Sequence, residues 1–97
     1  MTFPDELEAY RDRLMTRAAG WPDRAPEDLA GELERNREQI GLLERSCLDL
    51  KARLDRPPES VAEREAVSRK HALQDRMREI TAAYAEALSR HLATRSS

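Results

Sequence analysis

Few side chains in this sequence have the chemistry for covalent or acid-base work, and their spacing narrows what they can do. Cys47 is the single thiol. A catalytic thiol needs a lowered pKa and a histidine close in space. Cys47 instead falls among aliphatic positions at helical spacing, which predicts a buried structural cysteine. One cysteine makes no internal disulfide, in keeping with a reducing compartment. His71 and His91 are far apart on one predicted helix, and neither stands in a Glu-x-x-His or His-x-x-x-His pair, so no metal site is expected. Gly20, Gly31 and Gly41 stand singly, which leaves no phosphate-cradling loop and no nucleophile elbow. General acid-base chemistry needs a secluded carboxyl. Carboxylates such as Glu63 beside Arg64, or Asp75 near Glu79, read as surface charge. The sequence therefore predicts no catalytic residue, no cofactor and no enzymatic activity.

Recognition chemistry is better represented. Fifteen of the seventeen basic residues are Arg, with only Lys51 and Lys70 as Lys. Arginine favours bidentate contacts with carboxylate or phosphate, although interspersed charge is most often a solvated helix face. Trp21, between Gly20 and Pro22, reads either as a partner-binding anchor or as a plug over the end of the helices. Asn36 interrupts an aliphatic stripe. It is either a device for register or partner choice, or an edge position near a bend.

Prolines at 4, 22, 26, 57 and 58 separate three stretches, each of which reads as a helix. The first, residues 4–19, has Thr2 as a candidate cap, Pro4 in its first turn, and Asp5 and Glu6 complementing the dipole. Its stripe is Phe3, Leu7, Tyr10, Leu14 and Trp21, flanked by Met15 and Ala18, and Gly20-Trp21-Pro22 ends it. The second, residues 26–55, has Asp23 as a candidate cap. Its apolar register is Leu29, Leu33, Asn36, Ile40, Leu43, Cys47, Leu50 and Leu54, stepping by 4, 3, 4, 3, 4, 3 and 4. That is a heptad seam of the coiled-coil kind. Glu27, Asp28 and Glu32 open this helix and Lys51, Arg53 and Arg56 close it, as the macrodipole prefers. Leu42 and Leu48 lie off the seam as a weaker second edge. Gly31 and Gly41, costly inside a helix, are candidate points of close backbone approach.

The turn Asp55-Arg-Pro-Pro-Glu-Ser60 is long enough only for a reversal. The third helix, residues 58–93, places Leu73, Met77, Ile80, Tyr84, Leu88 and either His91 or Leu92 on one face, with Ala62 and Ala66 continuing it toward the turn. Residues 94–97 read as a frayed tail. The expected fold is one all-α domain over residues 1–97, a long antiparallel helical hairpin of coiled-coil character preceded by a shorter helix. At 1.5 Å per residue the hairpin should reach about 45 to 50 Å.

Composition supports this shape and excludes others. The 97 residues are 39% hydrophobic, 37% charged and 4% aromatic, with a net charge of −2. High charge with few rings predicts helices with narrow apolar stripes and broad solvated faces. No apolar run approaches the roughly 18 residues of a membrane span. Acidic and basic residues alternate along the chain, without the basic patch through which a nucleic-acid binder gains affinity. The first residues hold neither a basic region nor an apolar run, so the expected address is cytoplasmic.

In length and helix count the chain resembles the helical chorismate mutases. That resemblance implies a second function class, an enzyme with an Arg-lined site between subunits; the inward positions of the second helix here are Leu, Ile, Cys and Asn36. The hairpin also resembles the small export chaperones of flagellar and type III secretion systems, which hold partner helices on amphipathic ones. The leading expectation is a helical interaction module, an adaptor, assembly factor or small chaperone. A chain this small often completes its core by pairing, which predicts a homodimer and a helical protein partner. The candidate interface residues are Leu33, Asn36, Ile40, Leu43, Leu50, Leu54, Leu73, Met77, Ile80, Tyr84 and Leu88 along the seam. Leu7, Tyr10, Leu14 and Trp21 are candidates for a displaceable, partner-facing element.

Overall fold

A computed structural model describes residues 3–57 and 60–96, with side chains described for 5–57 and 60–95. Among these residues there are three α-helices and no strand: α1 (Phe3–Ala19), α2 (Pro26–Leu54) and α3 (Val61–Ser96), with a single 3-10 turn at Trp21–Asp23 between the first two. The helices extend over 55 × 25 × 15 Å. The fold is all-α and elongated, as the narrow stripes predicted.

Helix α2 runs antiparallel to α3, with rising positions on one meeting falling positions on the other: Glu32 meets Tyr84, Ser46 meets Gln74, and Arg53 reaches Glu63. The seam of α2 is spent on this pairing. Leu29, Leu33, Leu43, Cys47 and Leu50 are buried, while Asn36, Ile40 and Leu54 are half-buried. Helix α1 makes its principal contacts with α3 and few with α2. Tyr10 meets Thr81 and Trp21 meets Tyr84, so α1 runs parallel to α3. Trp21, Leu29, Leu33, Tyr84, Ala85 and Leu88 form one buried cluster, with Leu14, Ala18, Ile40, Ala87 and Leu92 packed against it. Each large side chain buried there contributes about 1.5–3 kcal/mol of hydrophobic transfer.

Several local expectations are corrected. The cap of α2 is Ala25, held by backbone bonds alone, because Asp23 is used inside the 3-10 turn. Residues 94–96 are helical, and Arg95 Nη1 donates to the carbonyls of Arg24 at 2.7 Å and Trp21 at 3.2 Å. That tether holds the last turn down. At the start of α3, Ser60 caps the helix: its hydroxyl accepts the Glu63 amide at 3.0 Å. The predicted start at Pro58, the candidate cap Thr2 and the tail residue Ser97 lie outside the described residues. Phe3 and Pro4 are helical, and their side chains lie outside the described ones.

Ala62 and Ala66 are exposed; the side chain buried near the turn is Val67. Counting back by sevens from Leu88 gives Thr81, Gln74 and Val67, and Thr81 is 1% exposed. Two polar residues thus continue the stripe of α3 beyond its apolar half. Neither Gly31 nor Gly41 admits a neighbouring backbone. A Cβ at Gly31 would meet only the Arg35 side chain, and one at Gly41 would meet open space.

Candidate functional site

The chemistry of the molecule gathers around α1. On one side of it, at the bend into α2, sits Glu32, which is 3% exposed although it was expected only to complement the helix dipole. Its Oε1 accepts from Arg17 Nη2 and from Arg24 Nη1, the latter at 3.0 Å, and its Oε2 accepts from the Tyr84 hydroxyl. Tyr84 in turn accepts from Trp21 Nε1 at 3.1 Å, and the two rings are tilted with centroids 5.3 Å apart. Burial pushes the Glu32 carboxyl up, but hydrogen bonds from Tyr84, Arg17 and Arg24 outweigh it and bring the pKa down to about 2. Burial, reinforced by the hydrogen bond to Glu32, pushes the Tyr84 hydroxyl up. The network thus joins α1, the bend, α2 and α3 through one carboxylate that stays ionised. A carboxylate so held does not exchange protons near neutral pH, so its part is to fasten the helices.

The expectation that the carboxylates are surface charge does not hold for Glu32, which is secluded. Buried Trp and Tyr need partners for their N–H and O–H groups, which calls for an acceptor near Trp21 and Tyr84, but nothing in the sequence singles out Glu32 among the carboxylates as that acceptor.

Two hollows flank α1. Between α1 and α3 lies a groove of about 830 Å³ whose walls include Leu7, Leu14, Met15, Ile80, Ala83 and Ala87. Met15 is 59% exposed there. Glu8 and Arg11 stand on the α1 rim; on the α3 rim, Arg76 Nη1 donates to Glu79 Oε2 at 2.8 Å. Between α1 and α2 lies a cleft of about 660 Å³ bordered by Tyr10, Arg13, Leu14, Arg17, Arg35 and Asn36 among others. The Tyr10 hydroxyl is hydrogen-bonded to Thr81, and the Arg13 guanidinium lies over the Tyr10 ring, 5.8 Å from its centroid.

The candidate interface residues divide accordingly. Trp21, Leu33, Leu43, Leu50, Tyr84 and Leu88 are buried inside the chain, and Trp21 takes the role of a plug over the end of the hairpin. Leu7, Leu14 and Ile80 line the α1–α3 groove. Tyr10 and Asn36 border the α1–α2 cleft. Ile40, Leu54, Leu73 and Met77 are half-buried along the hairpin. Cys47 is buried, and burial, with Asp75 nearby, pushes its thiol up, away from reactive thiolate. His71 and His91 are half-buried, and His91 lies against Trp21 with centroids 5.4 Å apart. Among the described residues no group of His, Cys, Asp and Glu is arranged to hold a metal ion, and no helix is long and apolar enough to cross a membrane.

No protein-family model matches the chain, and no curated protein and no solved structure is significantly similar to it.

Proposed function

We propose that the protein is a non-enzymatic helical interaction module whose working surface is the groove between α1 and α3, and that the occupant is an amphipathic helix of a partner protein. The observation that carries this reading is the groove itself, an apolar hollow between two parallel helices with Met15 open to solvent on its wall. A helix about 10 Å across is the convex shape that fills such a hollow, with anchors at i, i+3 or i+4 and i+7. Methionine adapts to whatever side chain enters. Among the described residues no exposed stripe of this kind is left for a second copy of the chain. Its heptad seam is used internally, and its other large exposed apolar side chains, Leu42, Leu48 and Val61, lie on α2 and at the far end of α3. Two concave grooves laid face to face would leave a void between them, which costs packing energy. Homodimerisation through this face is accordingly the competing use of the same groove.

The test introduces a charge into the groove at positions that the fold does not need. Met15→Glu and Ala83→Glu, both at exposed residues, should leave the helical circular dichroism unchanged and abolish retention of a partner in pull-downs from native lysate. Leu48→Glu, on the outer face of α2, should retain it. Retention indifferent to Met15→Glu and Ala83→Glu overturns the reading. So does a wild-type dimer in light scattering that Met15→Glu converts to monomer, which would give the groove to a second copy.

A further inference from the structure

The other hollow beside α1 has a different chemistry. In the cleft between α1 and α2, Arg13 stands on one wall and Arg35 on the other, and neither has a carboxylate partner among the described residues. Arg17 is already committed to Glu32, whose two oxygens are taken by Arg17, Arg24 and Tyr84. The negative charge of Glu32 is therefore answered inside the fold and does not neutralise the cleft. Asp12 on the rim is the remaining acid there.

Next to Arg35 on α2 stands Asn36, the one polar residue in the seam of that helix. Its Nδ2 is buried and has no hydrogen-bond partner. A buried amide donor left unpaired is costly, so it persists where something else is gained by it. Leu14 and the Tyr10 ring add apolar surface beside these donors. The volume, about 660 Å³, falls within the range of small-molecule sites, which combine apolar walls with a few placed polar groups.

We propose that this cleft binds a small organic anion, a phosphate monoester or carboxylate with an apolar body, with its charged oxygens between Arg13 and Arg35 and with the Asn36 amide, whose Nδ2 is closed off from solvent in the free chain, turning to donate to one of them. Guanidinium groups suit this role because their planar donors pair with carboxylate and phosphate oxygens. Helix α1 makes few contacts with α2, so the anion would also bridge the two. Binding to the folded state alone would then raise the melting temperature with ligand concentration. The site shares Asp12 and Leu14 of α1 with the α1–α3 groove but draws its arginines and Asn36 from outside it, and it does not depend on the function proposed for that groove.

The test is an NMR titration of the intact chain with phenyl phosphate and with benzoate, with sodium sulfate as a simple anion. The expected result is saturable shifts at the Asn36 side-chain amide, the Arg13 and Arg35 Nε–H groups and the Leu14 methyls, with at least one organic anion bound more tightly than sulfate. Arg13→Gln and Arg35→Gln should each weaken binding by about tenfold, the loss of one charge-assisted contact. Arg69→Gln, on an exposed stretch of α3, should leave it unchanged. Asn36→Leu should raise the melting temperature of the free protein while weakening the anion, a split that a purely structural Asn36 would not produce. Shifts that grow linearly without saturation, equal loss in Arg69→Gln, or an Asn36→Leu chain that binds as the parent does would each overturn the proposal. Saturation by a synthetic acidic peptide at the same residues, with none by phenyl phosphate or benzoate, would also overturn it and give the arginines to an acidic protein segment.

Discussion

The two ends of the hairpin are built differently. Where α1 lies on it, Trp21, Leu29, Leu33, Tyr84, Ala85 and Leu88 form one joined core, roofed by Leu14 and Ala18 and fastened by Glu32. Toward the turn there are only two helices. Leu43, Cys47, Leu50 and Val67 are buried between them, with no aromatic ring, and the Ser46 hydroxyl donates to Gln74 Oε1 across the pair. No third helix extends there, and Leu42, Leu48 and Val61 stand exposed on that part of the hairpin. Two helices enclose a narrow core and three enclose a wide one. Stability should therefore concentrate at the α1 end and fall toward the turn.

The sharpest way to break this asymmetry is to empty the wide core. Leu88 is fully buried, and Leu88→Ala should cost about 4 kcal/mol, since the surrounding helices hold the cavity open. That is a large share of the roughly 5–10 kcal/mol expected of a domain this size. Urea denaturation followed by circular dichroism reads it, and a loss below about 2 kcal/mol would mean that the site collapses as freely as the turn end.

Glu32 tests the fastening rather than the packing. Its carboxyl titrates at about 2 when folded, against an ordinary value of 4.5. The stabilisation is therefore fully present above about pH 4.5 and is lost as the pH falls toward 2, on the order of 3 kcal/mol in all. Other carboxylates titrate over the same range, so the measurement is a difference. Glu32→Gln should be less stable than the parent by about 3 kcal/mol at neutral pH, and the gap should close as the pH approaches 2. A gap independent of pH would show that the ionised carboxylate is not what fastens α1.

At the turn end the same kind of deletion should cost less. Leu50 is 4% exposed, yet only one other helix packs on it, and Leu50→Ala should lose about 2 kcal/mol. The comparison stands on the difference between Leu88→Ala and Leu50→Ala; equal losses would remove it. The cap at Ser60 is smaller again, and Ser60→Ala should cost about 1 kcal/mol by freeing the Glu63 amide.

How much of this was legible in the sequence follows the same division. The seam of α2 was plain, because apolar side chains at heptad spacing leave one consistent face, and the structure uses it from Leu29 to Leu54. The stripe of α3 was legible only in its second half. Thr81 and Gln74 occupy the heptad positions between Leu88 and Val67, and apolar periodicity alone leads past them to Ala62 and Ala66 instead of Val67. Glu32 was hidden for a related reason. A glutamate in the second turn of a helix is explained by the dipole, and nothing local shows that Arg17, Arg24 and Tyr84 converge on it from three other segments. The Ser60-x-x-Glu63 pattern was readable and marks the start of α3 three residues beyond the predicted one. The hollows beside α1 depend on how closely helices approach one another, which periodicity does not encode.

The smallest effect runs in the opposite direction. Gly41 lies midway along α2, between the joined core and the turn end, and nothing within 4 Å surrounds the place of its missing Cβ. With no neighbour to exclude, the glycine contributes only its cost to a helix, about 1 kcal/mol relative to alanine. Gly41→Ala should therefore raise the urea midpoint by a corresponding amount, without altering either hollow beside α1. Because the change is local to α2 and its Cβ would meet no neighbour, its gain should add to the losses of Leu88→Ala and Leu50→Ala in double variants. A shortfall paired with Leu50→Ala alone would show that the two-helix end unfolds apart from the core, and would turn the difference between the ends from one of magnitude into one of cooperativity.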